Sequence, residues 1–195
     1  MQRQVYAAYD DEGLFVYQAF KPKIVTTAAA KGTFGTGFNT NRLTWIKPSF
    51  AWVLQRTKYA TKHRMNAIAR IKLAHEGWLE ILKHAVPTQY DAQRYVNEEA
   101  WQGELDKAIV IHQWDPERDL LGKKLDRAAI QVGVRSEELS LSYVNEWILG
   151  IEDVTELAHE IGNLQKQHNP QLPDVPEERL YPVSDELALA LGCMD

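Results

Sequence analysis

The stretch 42-RLTWIKPSFAWVLQR-56 changes its secondary structure across one proline. Residues 42–46 read as a strand. Beyond them Phe50, Val53, Leu54 and Thr57 fall at i, i+3, i+4 and i+7, the spacing of one helix face. Pro48 suits the first position of that helix, where its missing N–H leaves no bond unmade. The reading is strand, break, helix, with Phe50, Val53 and Leu54 facing a core. Trp52, Arg56 and Tyr59 share a different face. Two aromatics and a cation there exceed what packing requires, so this second face is a candidate binding surface. Ser49 reads as a helix-start residue rather than a nucleophile, and the amides around Pro48–Ala51 are a candidate anion contact.

The strand–helix pair sits in a long acid-free region. From Gly13 to His75 there is no Asp or Glu, and eleven Lys and Arg give that stretch a formal charge of +11. Residues 76–195 carry ten cations against 24 acids, or −14, within a chain whose net charge is −5. Nine aromatics, from Phe15 to Tyr59, share the basic stretch. Cations interleaved with aromatics suit phosphates and stacked bases, so the segment points to a nucleotide or nucleic-acid partner. The competing reading is that the acidic remainder packs on the basic part and neutralises it.

Outward from the centre, strands and helices mix without strict alternation. Residues 5–20 read as two strands around the turn Asp10–Gly13. A helix is expected over about 23–31, then a glycine-rich loop, 32-GTFGTGFNTN-41. Downstream, a strand over 65–74 precedes a helix ended by Pro87. A further helix over 90–102 ends near Gly103. A strand over 107–114 is closed by Asp115-Pro116. A strand over 127–134 and a helix capped by Ser136 lead to a strand opened by Glu146. A helix with Asp153 as candidate cap follows, then a proline-rich connector from Asn169 to Pro182 and a short terminal helix. The pattern predicts an α+β fold in one domain over 1–168, with mixed and antiparallel sheets flanked by helices. Residues 169–195 are expected to pack on it.

Several function classes find no support. There is no phosphate-loop Gly-Lys-Ser/Thr and no Gly-x-Ser-x-Gly elbow. The six histidines lack metal-ligand spacing, and the single cysteine, Cys193, excludes a disulfide framework, so no metal is expected. No apolar run approaches the ~18 residues of a membrane span. Residues 1–13 lack a signal-peptide core, so a cytoplasmic location is expected. Two polar residues in apolar strands stand out. Gln18, in the strand of "VYQAF", is placed at a sheet edge facing a cleft, and Glu146 opens the strand of "NEWILGI", where an unpaired core charge would be costly. Each also has a plainer reading, on an outer strand face or in solvent. The acids of "QWDPERD" (113–119) read mainly as a turn.

The segments "VYQAF", "RLTWIKPSFAWVLQR", "HEGW", "QWDPERD", "IQVGV" and "YVNEWILGIEDVT" together resemble the domain of unknown function 4291 family, over roughly Gln2 to Pro182. That family name carries no activity. The order of three segments is also similar to the ADP-ribosyltransferase fold. The resemblance implies Gln18 at the position of a ribose-gripping His or Arg. It places Trp45 and Trp52 at aromatic positions flanking nicotinamide, and Glu146 as the catalytic acid. Gln18 is neither His nor Arg, and Trp45 replaces the usual tyrosine. The implied substrate is NAD, with Arg42, Lys47 or Arg56 meeting its diphosphate. Two functions stand side by side: an NAD-dependent ADP-ribosyltransferase-like enzyme with a divergent site, or a non-catalytic nucleic-acid or nucleotide-binding module.

Overall fold

The computed structural model describes residues 1–194. Two short strands, β1 (Gln2–Arg3) and β2 (Tyr6–Ala7), precede the long strand β3 (Gly13–Phe20). Helix α1 (Pro22–Lys31) takes Pro22 in its first turn, where its missing N–H costs nothing. The opening stretch forms β4 (Thr44–Ile46) and α2 (Phe50–Arg56). Ser49 caps α2, its hydroxyl accepting the Trp52 N–H at 3.1 Å, so Pro48 precedes the helix and does not fill its first position as the sequence reading expects. Phe50, Val53 and Leu54 are buried, as the helical spacing predicts.

The chain continues through β5 (Ala67–Ala74), α3 (His75–Lys83), β6 (Ala85–Pro87) and α4 (Glu98–Lys107). The long antiparallel pair β7 (Val110–Arg118) and β8 (Lys124–Val134) follows. Then come α5 (Glu137–Ser142), a π-helical turn (Tyr143–Trp147), β9 (Ile148–Asp153), α6 (Thr155–Lys166), β10 (Arg179–Leu180) and α7 (Asp185–Leu191). One sheet runs β1-β8-β7-β6, with β4 also paired to β8. The second is β3-β5-β9, fully antiparallel, and β10 pairs with β2. The fold is a single α+β domain with mixed and antiparallel sheets, as the residue pattern predicts.

Strand β3 is buried on both faces. Leu14 and Val16 enter one cluster with Ile46, Trp78, Val132 and Tyr143. Tyr17, pointing the other way, joins Phe50, Leu54, Ile68 and Ile161 beneath α2 and α6. Fully burying side chains of this size stabilises by about 1.5–3 kcal/mol each. Tyr17 stacks on Phe50 with ring centroids 4.6 Å apart. Among the described residues, no helix is long and apolar enough to cross a membrane.

Four further expectations are corrected. Strand β7 does not stop at Asp115-Pro116 but runs to Arg118, with a bulge between Pro116 and Arg118. Strand β6 pairs with β7 only as far as His112, so at Pro116 one side of β7 is open and a proline fits. The helix expected over 90–102 starts at Glu98, because Asn97 caps it through the Ala100 N–H, and it passes through the exposed Gly103 to Lys107. The first expected hairpin is slight: β2 pairs mainly with β10, and a single bridge, Tyr9 to Leu14, closes the turn. Strand β9 opens at Ile148, not at Glu146, which lies in the π turn. That turn inserts Trp147 against α3, where a Cβ on Gly77 would come within 2.3 Å of the indole.

Candidate functional site

Strand β4 touches both sheets. Its residues pair with β8 from Thr44–Val134 to Ile46–Val132, and on the other side the Tyr17 N–H donates to the Lys47 carbonyl at 2.7 Å. Gln18, only 3 % exposed, locks this joint with its side chain. Its amide donates to the Trp45 carbonyl at 3.0 Å, and its oxygen accepts from the Tyr143 hydroxyl at 2.7 Å. The buried amide is thereby paired at both ends, which offsets the cost of burying it.

A cleft of about 240 Å³ opens beside this joint. Gln18, Trp45, Lys47, Trp52 and Arg56 line it, with Phe20 and Met65. Five of the eight candidate site residues therefore come together. Three do not line it. Arg42 is exposed in the loop before β4. Ser49 is buried and donates its hydroxyl to Glu117 at 3.0 Å. Glu146 is exposed on the π turn, accepting from the Ser142 hydroxyl at 3.2 Å.

Lys47 has the least ordinary environment of the set. It is 9 % exposed, and its ammonium lies 5.3 Å from the Trp52 ring centroid. No ion pair reaches it among the described residues. Burial lowers its pKa to about 8, the nearby Arg56 charge adds to the fall, and Asp115 opposes it. Asp115 is itself engaged, its two oxygens accepting from the amides of Gln113 and Gln131 at 2.7 and 2.6 Å. A cation on an aromatic face, at the edge of a cleft and without a carboxylate, has the chemistry to accept an anion.

Past Trp52 and Arg56 the cleft passes into a shallower groove of about 490 Å³, lined also by Gln55, Lys58, Lys62, Pro116 and Arg118. Neither lining contains an acid. The proposed neutralisation by the acidic remainder is slight. Of the eleven cations in 13–75, Arg70 pairs with Glu152 and Lys72 with Asp10 and Glu12. The other nine make no ion pair among the described residues.

Behind the cleft wall lies a pair of acids that local sequence does not reveal. Glu117, 1 % exposed at the β7 bulge, accepts from Ser49 Oγ and from the Arg118 N–H at 2.9 Å. Glu178, from the proline-rich connector, accepts the Phe50 N–H at 2.8 Å. Burial, reinforced by the charge of Glu117, pushes the Glu178 carboxyl up to about 8, against the Phe50 N–H and Arg127, which favour its ionised form. The same connector supplies β10, so Glu178 ties this strap to the start of α2. Glu117 falls in the segment that reads as a turn, so its place in β7 leaves no local signal. For Glu178 there is none either, because its partner is 128 residues away.

The linkage has a definite sign. A carboxyl whose pKa is higher folded than unfolded contributes stability below the ordinary carboxylate range and loses it as pH climbs towards about 8. Glu178→Gln keeps an oxygen for the Phe50 N–H and cannot ionise. The variant is expected to gain stability relative to the unaltered chain as pH rises from about 5 to about 8, read as the difference in urea midpoint at each pH.

Among the described residues, no three His, Cys, Asp or Glu side chains gather as they would around a metal ion. No curated protein matches the sequence. A family model does, across residues 4–181 and so across both sheets, the cleft and the connector. The chain belongs to the domain of unknown function family DUF4291.

Proposed function

We propose that this protein binds a phosphate-bearing nucleotide in the cleft between β4, α2 and the end of β3. The observation that carries the reading is the shared lining of the cleft and the groove. Trp52 and Arg56 belong to both, cations recur along them, and no acid interrupts them. Trp45 and Trp52 offer ring faces for a base, where stacking contributes about 1–3 kcal/mol. Lys47 and Arg56 supply charge for a phosphate, Arg56 with a planar fork that can grip two oxygens. At roughly 30 Å³ per water, a space of about 240 Å³ suits one base with part of its sugar.

A transferase reading has one observation in its favour: Gln18, Trp45 and Trp52, the residues singled out by the ADP-ribosyltransferase resemblance, line a common cleft. In that reading NAD places nicotinamide against the tryptophans and its diphosphate along Arg56. Glu146 would then have to reach the cleft from the exposed π turn. A carboxylate there would stabilise the oxocarbenium-like centre formed as the nicotinamide bond breaks. Gln18 would act chiefly by fixing Trp45, since its oxygen and one amide N–H are already bonded.

Two variants test these readings. Lys47→Met removes a buried, unpaired charge while keeping much of the side-chain volume. The buried cation costs stability wherever it is protonated, and that cost fades as pH rises from about 8. The variant is therefore expected to melt higher than the unaltered chain near neutral pH, yet to bind AMP or ATP at least about tenfold more weakly by calorimetry. Equal affinity in a folded variant would remove Lys47 from the site. For the transferase reading, Glu146→Gln is expected to abolish NAD cleavage without lowering NAD affinity. Unchanged cleavage would free Glu146 from the catalytic role.

A further inference from the structure

We infer that the natural ligand of the cleft is a single strand of nucleic acid, with one base against the tryptophans and the following phosphates along the groove beside α2. The inference rests on the nucleotide reading of the cleft and extends it. A mononucleotide leaves the larger part of the basic surface unused. The groove continues for about 490 Å³ beyond the aromatic cleft and adds Lys58, Lys62 and Arg118 to the Arg56 shared by both. None of these four has an acidic partner among the described residues. Four neighbouring cations without counter-charges match a repeating anion better than a single phosphate.

The backbone beneath the groove is fixed, not loose. Lys58, Tyr59 and Ala60 hold consecutive positive φ angles of 52°, 56° and 59°. A left-handed turn of three residues with side chains costs about 1–2 kcal/mol per residue. It persists because its contacts over-determine it. Thr57 Oγ1 donates to the Val53 carbonyl at 2.8 Å and accepts the Ala60 N–H at 3.0 Å. The Tyr59 hydroxyl accepts from Gln55 and donates to the Leu120 carbonyl at 3.1 Å. Gly162 of α6 leaves room for Tyr59, whose Cβ would stand 2.7 Å from any Cβ added there. In the same groove Arg118 is steadied by the Gly122 carbonyl, which accepts from its guanidinium at 2.9 Å. The turn thus brings Lys58 and Lys62 into one groove lining with Arg118, and strain of this kind clusters where a surface must be preorganised.

An acidic protein segment would satisfy the cations but would leave the adjoining pair of tryptophans without a flat partner. A strand of nucleic acid uses both. A duplex presents its bases stacked away from the cleft, so the single strand is the favoured form.

The test compares AMP, a short fluorescein-labelled oligothymidylate, a duplex of similar length and poly-glutamate as ligands of the full chain. Anisotropy and competition are read at several salt concentrations. The oligothymidylate is expected to bind at least about tenfold more tightly than AMP, with a log–log salt slope near −0.7 per phosphate contacted. Lys58→Ala with Lys62→Ala is expected to remove most of that gain and flatten the slope while leaving AMP affinity unchanged. Unchanged AMP binding also shows that the double variant is folded. If AMP binds but the oligothymidylate binds no more tightly, the extension along the groove is wrong and the nucleotide reading survives. Competition by poly-glutamate or duplex as strong as by the single strand would also overturn the inference. Absence of AMP binding to the unaltered chain would sink the nucleotide reading itself.

Discussion

Everything at the candidate site depends on how one buried amide joins three elements. Gln18 donates to the backbone of β4 and accepts from Tyr143 on the π turn. Beside it, the Tyr17–Lys47 backbone bond fastens β3 to the end of β4. Strand β4, three residues long, is thus held between two sheets and has little freedom to shift. Trp45 and Lys47 inherit that rigidity, since they share one face of the strand and its continuation. Ser49 and Glu117 then fix where α2 begins, and with it the position of Trp52 and Arg56. A local strain or a lost hydrogen bond at this joint would move both walls of the cleft together.

The charge distribution follows from the same geometry. The acidic remainder of the chain covers little of the basic segment: the Arg70–Glu152 pair is the one ion pair between them among the described residues. Asp115 is held by two glutamine amides, and Glu117 and Glu178 lie behind the wall. Lys47 and Arg56 line the cleft, and Arg56 and Arg118 line the groove beyond it, none of them with an ion-pair partner among the described residues. A buried Lys47 without a counter-ion works against stability, and a perturbed cation beside a cleft marks a candidate binding site.

How much of this could be read in advance follows from how local each signal is. The strand–break–helix reading of 42–56 succeeds because helix spacing acts over a few residues, although Pro48 stands before the Ser49 cap and not in the first turn. Phe50, Val53 and Leu54 are buried accordingly. Gln18, Trp45, Lys47, Trp52 and Arg56 were singled out by residue type and by resemblance, and they share a cleft. Glu146 was misplaced in the strand because a π turn shifts the frame without any marker such as glycine or proline. Pro116 argued for a turn, yet a proline is tolerated where a strand has one open side. Glu117 and Glu178 acquire their setting from partners 68 and 128 residues away, and Tyr143 meets Gln18 across 125. No local pattern encodes such contacts.

The central claim is that the unpaired Lys47 awaits the phosphate of a nucleotide. NMR titration of the labelled Lys47 side chain, with and without saturating AMP, tests it most directly. The account predicts a pKa near 8 in the free protein and a clear rise with AMP bound, because a phosphate within contact distance favours the ammonium. A Lys47 pKa that does not move on AMP saturation, or that stands at the ordinary lysine value in the free protein, would contradict it.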